Sequence, residues 1–245
     1  MGIALITGAG TGIGRLSAMA LSRKGWKTIL VGRRPDPLRE TADMLETECV
    51  VAPGDISKPD DVDRIFKTAL DAFGRLDLLF NNAGSFALGT PIDEMKLEDW
   101  YKVLDANLNG SVLCARAAFS AMRHQTPQGG RIINNGSLSA YVPRPGSTAY
   151  SVTKHAITGL TRSLSLDGRA FNIACGQIDV GNALTDMGAP MLDGVPQPDG
   201  SVRPEPTMDP QHVADAVVHM AQLPLQTNIQ FMSIMATAMP FIGRG

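Results

Sequence analysis

Short apolar runs alternate along this chain with longer stretches in which apolar residues recur at helical spacing. The short runs suit strands that are buried on both faces of a parallel sheet. They cover residues 2–6, 27–32, 48–53, 76–80, 131–135, 172–178 and 228–236. The longest helical stretch covers residues 98–122 and is predicted to form one continuous helical region. The alternation, without a repeat or a low-complexity linker, predicts an α/β fold with about seven strands in one doubly wound parallel sheet and helices on both faces.

The length and the charge of the chain narrow this picture. It has 245 residues and a net charge of −2 with both signs interspersed, so we expect a single domain over residues 1–245 and no nucleic-acid partner. No apolar stretch is long enough to span a membrane, and no secretory signal precedes the first strand. The three cysteines are far apart and lack metal-ligand spacing. We therefore expect a cytoplasmic protein with free thiols, without a metal site and without a membrane partner.

A glycine-rich turn follows the first predicted strand. Residues 7–14 read T-G-A-G-T-G-I-G, and the residues after them have helical periodicity. Such a turn directs free backbone N–H groups and the positive end of a helix dipole at one point, which suits a phosphate. Glycine also lets a pyrophosphate approach the backbone without meeting a Cβ atom. The alternative is a tight packing turn, but the flanking strand and helix favour nucleotide binding through Gly8, Thr11, Gly12 and Ile13.

Two polar turns follow other predicted strands. Asn82, Ala83 and Gly84 come directly after the fourth strand, where asparagine side chains can bond neighbouring backbone and a small Ala-Gly pair leaves room for a flat cofactor. An ordinary Asx turn is the alternative for this segment taken alone. Asp55 and Ile56 follow the third strand, and Asp55 is also a candidate N-cap for the next helix.

A serine, a tyrosine and a lysine are spaced so that the serine ends a predicted strand and the other two share one face of a predicted helix. Ser137 lies at the carboxyl end of the fifth strand, where ligands of open parallel sheets bind. Tyr150 follows thirteen positions later, and Lys154 is one helical turn beyond it on the same face. Asn107 lies inside the long helical region, where asparagine is unfavourable because its side chain competes for the backbone. Taken alone, Tyr150 and Lys154 would be a chance pair on a helix surface, and Asn107 would be a tolerated polar residue.

In this order, the motifs together resemble the short-chain dehydrogenase/reductase family, in its main branch of about this length. The segment after the sixth strand is similar to the family's N-P-G-x-V-x-T, with Gly181 and Thr185 kept, Ala183 in place of valine, and Asp179 in place of asparagine. Asp179 either fixes the turn or faces the substrate. The resemblance implies a Rossmann-like fold. It also implies an enzyme that transfers a hydride between a nicotinamide cofactor and an alcohol/carbonyl substrate.

The resemblance assigns two groups of residues. It implies catalytic roles for Asn107, Ser137, Tyr150 and Lys154. It implies cofactor contacts for Gly8, Thr11, Gly12, Ile13, Arg33, Arg34, Asp55, Ile56, Asn82, Ala83, Gly84, Tyr150, Lys154, Gly181, Ala183 and Thr185. Two other functions stay open, namely a non-redox relative such as an epimerase or dehydratase, and a nucleotide-binding regulator without turnover. The complete catalytic set counts against the regulator.

The chemistry of the four catalytic candidates agrees with carbonyl reduction. Tyr150 supplies a proton to the developing alkoxide, and the Lys154 ammonium one turn away stabilises the phenolate. Ser137 donates a hydrogen bond to the substrate oxygen, where negative charge accumulates. The resemblance further implies that Lys154 holds the nicotinamide ribose. It also implies that Asn107 kinks its helix and orders a water that passes protons to Lys154.

The end of the second strand predicts NADP(H) as the preferred cofactor. A site selective for NAD(H) needs a carboxylate there for the ribose hydroxyls. This chain has Gly32, followed by Arg33 and Arg34. Guanidinium groups form charge-assisted contacts to phosphate oxygens and therefore suit the 2′-phosphate. NAD(H) is the alternative, with both arginines as solvated surface charges.

Two further expectations concern the second half of the chain. Residues 181–207 are rich in proline, glycine and methionine, and a loop of this length in a compact protein is usually functional, so we expect a substrate loop. The apolar faces within 100–122 and 150–166 and the apolar tail at 239–242 predict a homo-oligomer. The family resemblance indicates a tetramer.

Overall fold

Seven parallel strands form one sheet in the computed structural model, which describes residues 2–86 and 89–242. The strands are β1 Ile3–Thr7, β2 Lys27–Gly32, β3 Cys49–Pro53, β4 Leu78–Asn81, β5 Gly130–Asn135, β6 Ile173–Val180 and β9 Phe231–Ile234, numbered with the short pair β7 Val195–Pro196 and β8 Val202–Arg203. Their order in the sheet is β3-β2-β1-β4-β5-β6-β9, and every neighbouring pair is parallel. The predicted doubly wound sheet is thus confirmed, with strand limits that differ by up to three residues.

The helices cover both faces of this sheet. They are α1 Gly12–Arg23, α2 Pro35–Ala42, α3 Pro59–Phe73, α4 Leu97–Leu104, α5 Gly110–His124, α6 Thr148–Asp167, α7 Pro190–Asp193 and α8 Gln211–Gln222. The packing of β1 explains why its sequence is apolar throughout. Ala4 and Ile6 pack on one face of the sheet, in the core that α1 and α8 cover. Ile3 and Leu5 pack on the other face, with α3 and α5. Burial on both faces therefore removes the polar alternation of a half-exposed strand.

The predicted helical region over 98–122 is helical throughout, but its middle is not an α-helix. A π turn at Asp105–Asn109 separates α4 from α5. Inside this turn the Asn107 carboxamide bonds to the backbone of Ser85, outside the helix. A π turn of this kind is an inserted residue in the helical ladder and is frequent at functional sites. The interruption falls at Asn107, where the family resemblance implies a kink.

The predicted loop at 181–207 contains some regular structure. Helix α7 occupies its middle, and β7 pairs with β8 as an antiparallel ribbon outside the main sheet. An isolated parallel bridge joins Ala183 to Met208, at the two ends of the segment. Because its ends are held together, the segment folds back over the edge where the strands of the main sheet terminate.

Candidate active site

A cleft of about 690 Å³ opens along the carboxyl ends of the parallel strands. With the exception of Asn107, every residue for which the sequence predicts a site role lines this cleft. They are Gly8, Thr11, Gly12, Ile13, Arg33, Arg34, Asp55, Ile56, Asn82, Ala83, Gly84, Ser137, Tyr150, Lys154, Gly181, Ala183 and Thr185. Segments distant in the sequence therefore meet in one concave site.

The glycine turn fits a phosphate group because its backbone leaves no room for side chains. Gly8 and Gly12 have φ angles of 69° and 52°, in the left-handed region that glycine adopts readily. A Cβ atom on Gly14 would lie 2.2 Å from the Gly8 carbonyl oxygen and 2.7 Å from the Asn82 amide nitrogen. Helix α1 begins at Gly12, so its N-terminal N–H groups point into the cleft where a pyrophosphate would bind.

Hydrogen bonds tie the glycine turn to the ends of two other strands. The Thr7 hydroxyl accepts from the backbone N–H groups of Asn82 and Ala83 at 2.9 and 3.0 Å. The Asn82 carboxamide donates to the Thr7 carbonyl at 3.0 Å and accepts from the Asn135 carboxamide at 3.0 Å. Strands β1, β4 and β5 are thus fixed to one another where the cleft begins.

Lys154 and Tyr150 lie side by side on α6, as their spacing predicts. The Lys154 ammonium donates to the Asn135 carbonyl at 2.7 Å, and its nitrogen is 5.5 Å from the centroid of the Tyr150 ring. The edge of the Tyr150 ring meets the Phe86 ring at a centroid distance of 5.3 Å. Lys154 is buried while Tyr150 is partly exposed, and both residues line the cleft.

Asp179 does not line the cleft, and it holds the turn after β5 that carries Ser137. One carboxylate oxygen accepts from the Ser137 backbone N–H at 3.1 Å and from the Gln177 amide at 2.6 Å, and the other accepts from the Tyr141 hydroxyl at 2.9 Å. Burial raises the pKa of the Asp179 carboxyl, although these three donors act in the opposite direction. A Cβ atom on Gly136 would lie 2.0 Å from this carboxylate, so the turn requires glycine there.

The Ser137 side chain is oriented by this turn. Its hydroxyl oxygen accepts from the Ser139 backbone N–H at 3.1 Å, and the residue is 5% exposed. Among residues 2–86 and 89–242, no group accepts a hydrogen bond from the Ser137 hydroxyl. The hydroxyl proton is consequently free to point at a substrate oxygen in the cleft.

Asn107 lies behind the cleft and not in its lining. Its carboxamide accepts from the Ser85 N–H at 2.7 Å and donates to the Ser85 carbonyl at 3.0 Å and to the Thr153 hydroxyl at 3.2 Å. Thr153 precedes Lys154 on α6. The Asn107 side chain thus joins the segment after β4 to α6, and the residue is only 2% exposed. Its implied part in a proton relay stays a prediction.

The opposite end of the cleft carries the residues predicted to bind the adenosine half of the cofactor. The Asp55 carboxylate accepts from the Ser57 N–H and hydroxyl at 3.0 and 2.8 Å, which is an Asx turn. The N-cap position of α3 belongs to Lys58, so the alternative role of Asp55 as N-cap is wrong. Arg33 and Arg34 are exposed at the rim of the cleft.

Several residues at the site carry no signal in the sequence. Phe86, Leu138, Val142, Arg144, Met191, Met239 and Phe241 line the cleft, and Glu205 pairs with Arg144 from behind it. None belongs to a motif, and they come from the segments after β4, β5, β6 and β9. In the described part of the chain there is no cluster of His, Cys, Asp or Glu that could hold a metal, and no helix long and apolar enough to cross a membrane.

A glycine turn at the edge of a parallel sheet, with serine, tyrosine and lysine in the same cleft, is the arrangement that the resemblance to short-chain dehydrogenases/reductases implies. The sequence profile described as short chain dehydrogenase matches residues 2–195. An uncharacterized oxidoreductase of Staphylococcus aureus is 31% identical over 233 residues, which are 95% of this chain and 96% of that protein. The chain therefore belongs to the short-chain dehydrogenase family of NAD(P)-dependent oxidoreductases.

Solved structures resemble the chain over almost its whole length. A serine dehydrogenase complexed with NADP+ is 28% identical, with a TM-score of 0.86 over 98% of this chain and 97% of that one. An alcohol dehydrogenase from the archaeon Thermococcus sibiricus, complexed with 5-hydroxy-NADP, is 25% identical, with a TM-score of 0.84 over 97% of both chains. A 3-ketoacyl-(acyl-carrier-protein) reductase from Brucella melitensis complexed with NADH has a TM-score of 0.86 over 97% of this chain and 98% of that one, and its 23% identity shows the fold alone.

Proposed function

We propose that the protein interconverts a carbonyl compound and its alcohol, with Tyr150 as general acid and base. The observation that carries this proposal is that Ser137, Tyr150 and Lys154 line the same cleft as the glycine turn. A nicotinamide cofactor, when bound, supplies or accepts the hydride. The residues of the chain position the substrate oxygen and move one proton to or from it.

Each of the three residues has a separate task in this proposal. During reduction, Tyr150 donates its phenolic proton to the carbonyl oxygen, and the Lys154 ammonium stabilises the phenolate that remains. Ser137 donates a hydrogen bond to the same oxygen as its charge grows. The hydrogen bond of Lys154 to the Asn135 carbonyl supports this arrangement, because it holds the ammonium beside the Tyr150 ring.

A panel of ketones, aldehydes and secondary alcohols, assayed with both cofactors, tests the proposed reaction. Net consumption or formation of reduced nicotinamide, followed by its absorbance, is the expected result. Product formation without any net change in that absorbance would instead indicate a non-redox relative. Cofactor binding without product from any member of the panel would indicate the nucleotide-binding regulator.

We further propose NADP(H) as the preferred cofactor. Arg33 and Arg34 line the cleft, and Asp36, the nearest carboxylate in sequence, forms an ion pair with Arg39 at 3.0 Å. The solved relatives do not decide the preference, since one structure contains NADH and another NADP+. The support for NADP(H) is therefore the pair of guanidinium groups beside Gly32, where no carboxylate would repel a 2′-phosphate.

Arg33→Ala is expected to lower kcat/KM for NADPH about tenfold and to leave kcat/KM for NADH nearly unchanged. A tenfold loss corresponds to the free energy of about one hydrogen bond to a charged group, here the 2′-phosphate that NADH lacks. Arg39→Ala is the matched control, because Arg39 lies six positions further along the chain on α2, does not line the cleft and is engaged by Asp36. Steady-state kinetics with both cofactors give the ratio of kcat/KM for NADPH to kcat/KM for NADH. A parent enzyme that prefers NADH, or an unchanged ratio in Arg33→Ala, would remove Arg33 from this role.

We also propose that residues 1–245 act as one domain in which 181–207 form the substrate loop. The Leu184 N–H donates to the Met208 carbonyl at 2.9 Å, which closes the loop at its base. The Thr185 methyl group lies 3.3 Å from the position of a Cβ on Gly12, at the phosphate end of the cleft. These contacts support a loop that covers both the cofactor and the substrate.

The protein is expected to be a homo-oligomer, with a tetramer as the favoured state. Four large apolar side chains on α4, α5 and α6 support this, since Leu97, Val112, Val152 and Leu166 are 68, 39, 45 and 62% exposed in the monomer. Burial of such side chains between copies is favourable, and closed symmetry is the common outcome. Light scattering at micromolar concentration measures the mass, and a monomer mass would contradict the expectation.

A further inference from the structure

We propose that a buried ion pair between Arg144 and Glu205 restricts the substrate end of the cleft to uncharged, apolar carbonyl compounds and alcohols, and excludes carboxylates. This inference rests on the proposed function and names the substrate class. It is carried by the lining of the cleft, by the hydrogen bonds of the ion pair, and by the charges on the two segments that form this end.

The first observation is the apolar lining around the catalytic residues. Phe86 packs against the Tyr150 ring. Leu138 and Met239 form a small core cluster against which Phe241 packs, and all three line the cleft. Methionine side chains adapt their shape to an apolar ligand at little cost. This end of the cleft therefore suits a bulky apolar group next to the reacting carbonyl.

The second observation is that the one positive charge on the loop after β5 is already paired. Arg144 is the sole charged residue between positions 136 and 147, and it lines the cleft. One of its guanidinium nitrogens donates both to a Glu205 carboxylate oxygen and to the Asn182 carboxamide oxygen, the latter at 2.8 Å. The Arg144 side chain is 19% exposed and that of Glu205 is 2% exposed. The Arg144 charge is therefore paired inside the protein, while its Nε is buried without a hydrogen-bond partner among the described residues.

The third observation is that Glu205 is held in its charged form. The oxygen that pairs with Arg144 also accepts from the Asn182 amide at 2.8 Å, and the other oxygen accepts from the Gln197 amide at 3.1 Å. Burial raises the pKa of the Glu205 carboxyl, but the bonds from Arg144, Asn182 and Gln197 outweigh it and lower the pKa to about 2. At neutral pH the carboxylate therefore neutralises the guanidinium.

The remaining charge on the substrate loop also opposes anions. Among residues 181–207, Asp186 is the charged residue that lines the cleft. Lys102 and Lys154 also line the cleft, from α4 and α6, and the Lys154 ammonium donates to the Asn135 carbonyl. Between the two segments named above, a substrate carboxylate would leave water to meet a neutralised arginine, an aspartate and apolar side chains, and burial of an unpaired charge is costly. Discrimination of this kind depends on what the site offers to the wrong ligand as much as to the right one.

A matched pair of ligands tests the inference, namely a γ-keto carboxylic acid with an apolar chain and its primary amide. The parent is expected to turn over the amide with the higher kcat/KM. Glu205→Gln keeps the shape of the side chain and frees the Arg144 charge. It is therefore expected to raise kcat/KM for the acid about tenfold or more, as one hydrogen bond to a charged group allows, with little gain for the amide.

Calorimetry provides a readout that does not depend on turnover. The dissociation constants of acid and amide are measured on the enzyme loaded with oxidised cofactor, and their ratio is expected to follow the kinetic ratio. If no ketone is turned over while the parent binds the amide more tightly, the proposed reaction fails and the inference stands. If ketones are turned over while the parent prefers the acid, the inference fails and the reaction stands.

Two variants separate the freed charge from a loosened loop. The double variant Arg144→Gln/Glu205→Gln removes both charges and is expected to reject the acid as the parent does. Asp199→Asn removes an acidic group of the same loop that pairs with Arg203 at the surface, and it is expected to leave the ratio unchanged. A higher kcat/KM for the acid in the double variant or in Asp199→Asn would overturn the inference. An unchanged kcat/KM for the acid in a folded Glu205→Gln protein would overturn it as well. The parent's own ratio decides it if Glu205→Gln does not fold.

Discussion

Replacement of Tyr150 by phenylalanine is expected to remove nearly all turnover and to leave cofactor binding intact. The phenylalanine ring keeps the edge contact with Phe86 and the position beside Lys154. Only the hydroxyl group that we propose exchanges a proton with the substrate oxygen is lost. General acid–base catalysis by one group contributes typically ~10²–10⁴-fold, so kcat should fall by about that factor. Steady-state kinetics with any accepted ketone measure the loss, and cofactor titration by fluorescence measures the binding.

The control for this variant is Tyr101→Phe. Tyr101 lies on α4 with 56% of its surface exposed, and it does not itself line the cleft. The same chemical change there is expected to leave kcat within about twofold of the parent, as is usual for a surface substitution. Substantial turnover by Tyr150→Phe would show that another group protonates the alkoxide. Equal losses in the two variants would point to a general effect of the substitution on the protein.

Features that depend on local sequence could be predicted in advance. The strand–turn–helix around the glycines is encoded by adjacent residues, because burial on both faces of β1 requires an apolar run and the turn requires glycine. Tyr150 and Lys154 share a helix face by simple periodicity. Ser137 lies at a strand end, and ligands of parallel sheets bind at that edge. The sheet and the main lining of the cleft were therefore accessible from the sequence.

Features that depend on distant partners could not be predicted. The pairing of Arg144 with Glu205 joins positions 61 apart, and nothing near either residue marks it. The family resemblance implied a kink at Asn107, but the contact found there could not be predicted, since Asn107 bonds Ser85, which is 22 positions away. Asp179 takes its role from the donors that surround it in the folded chain. In each case the determining contact is formed only once the sheet has brought separate segments together.

Gly14→Ala is expected to destabilise the protein and weaken cofactor binding together. A Cβ atom there would lie 2.2 Å from the Gly8 carbonyl oxygen, which belongs to the backbone of the glycine turn that we propose binds the cofactor phosphates. Alanine favours the helix by ~1 kcal/mol over glycine, so the clash must exceed that gain for the variant to be less stable. Overpacking of a tight site costs about 1–3 kcal/mol, and relief of this clash must move Gly8 or Asn82, both of which line the cleft.

The matched control is Gly159→Ala on α6, because a Cβ atom at Gly159 would meet nothing within 4 Å. The helix then gains without a clash, and the free energy of unfolding should rise by about 0.5–1 kcal/mol. Urea denaturation gives the free energies of unfolding, and titration with the cofactor gives the dissociation constants. Opposite signs at the two positions, with weaker cofactor binding in Gly14→Ala alone, are the expected result. The prediction would be contradicted if Gly14→Ala were as stable as Gly159→Ala and bound the cofactor with the affinity of the parent. That result would show that the turn tolerates a side chain at Gly14 and that the close approach of Gly14 to Gly8 is not required.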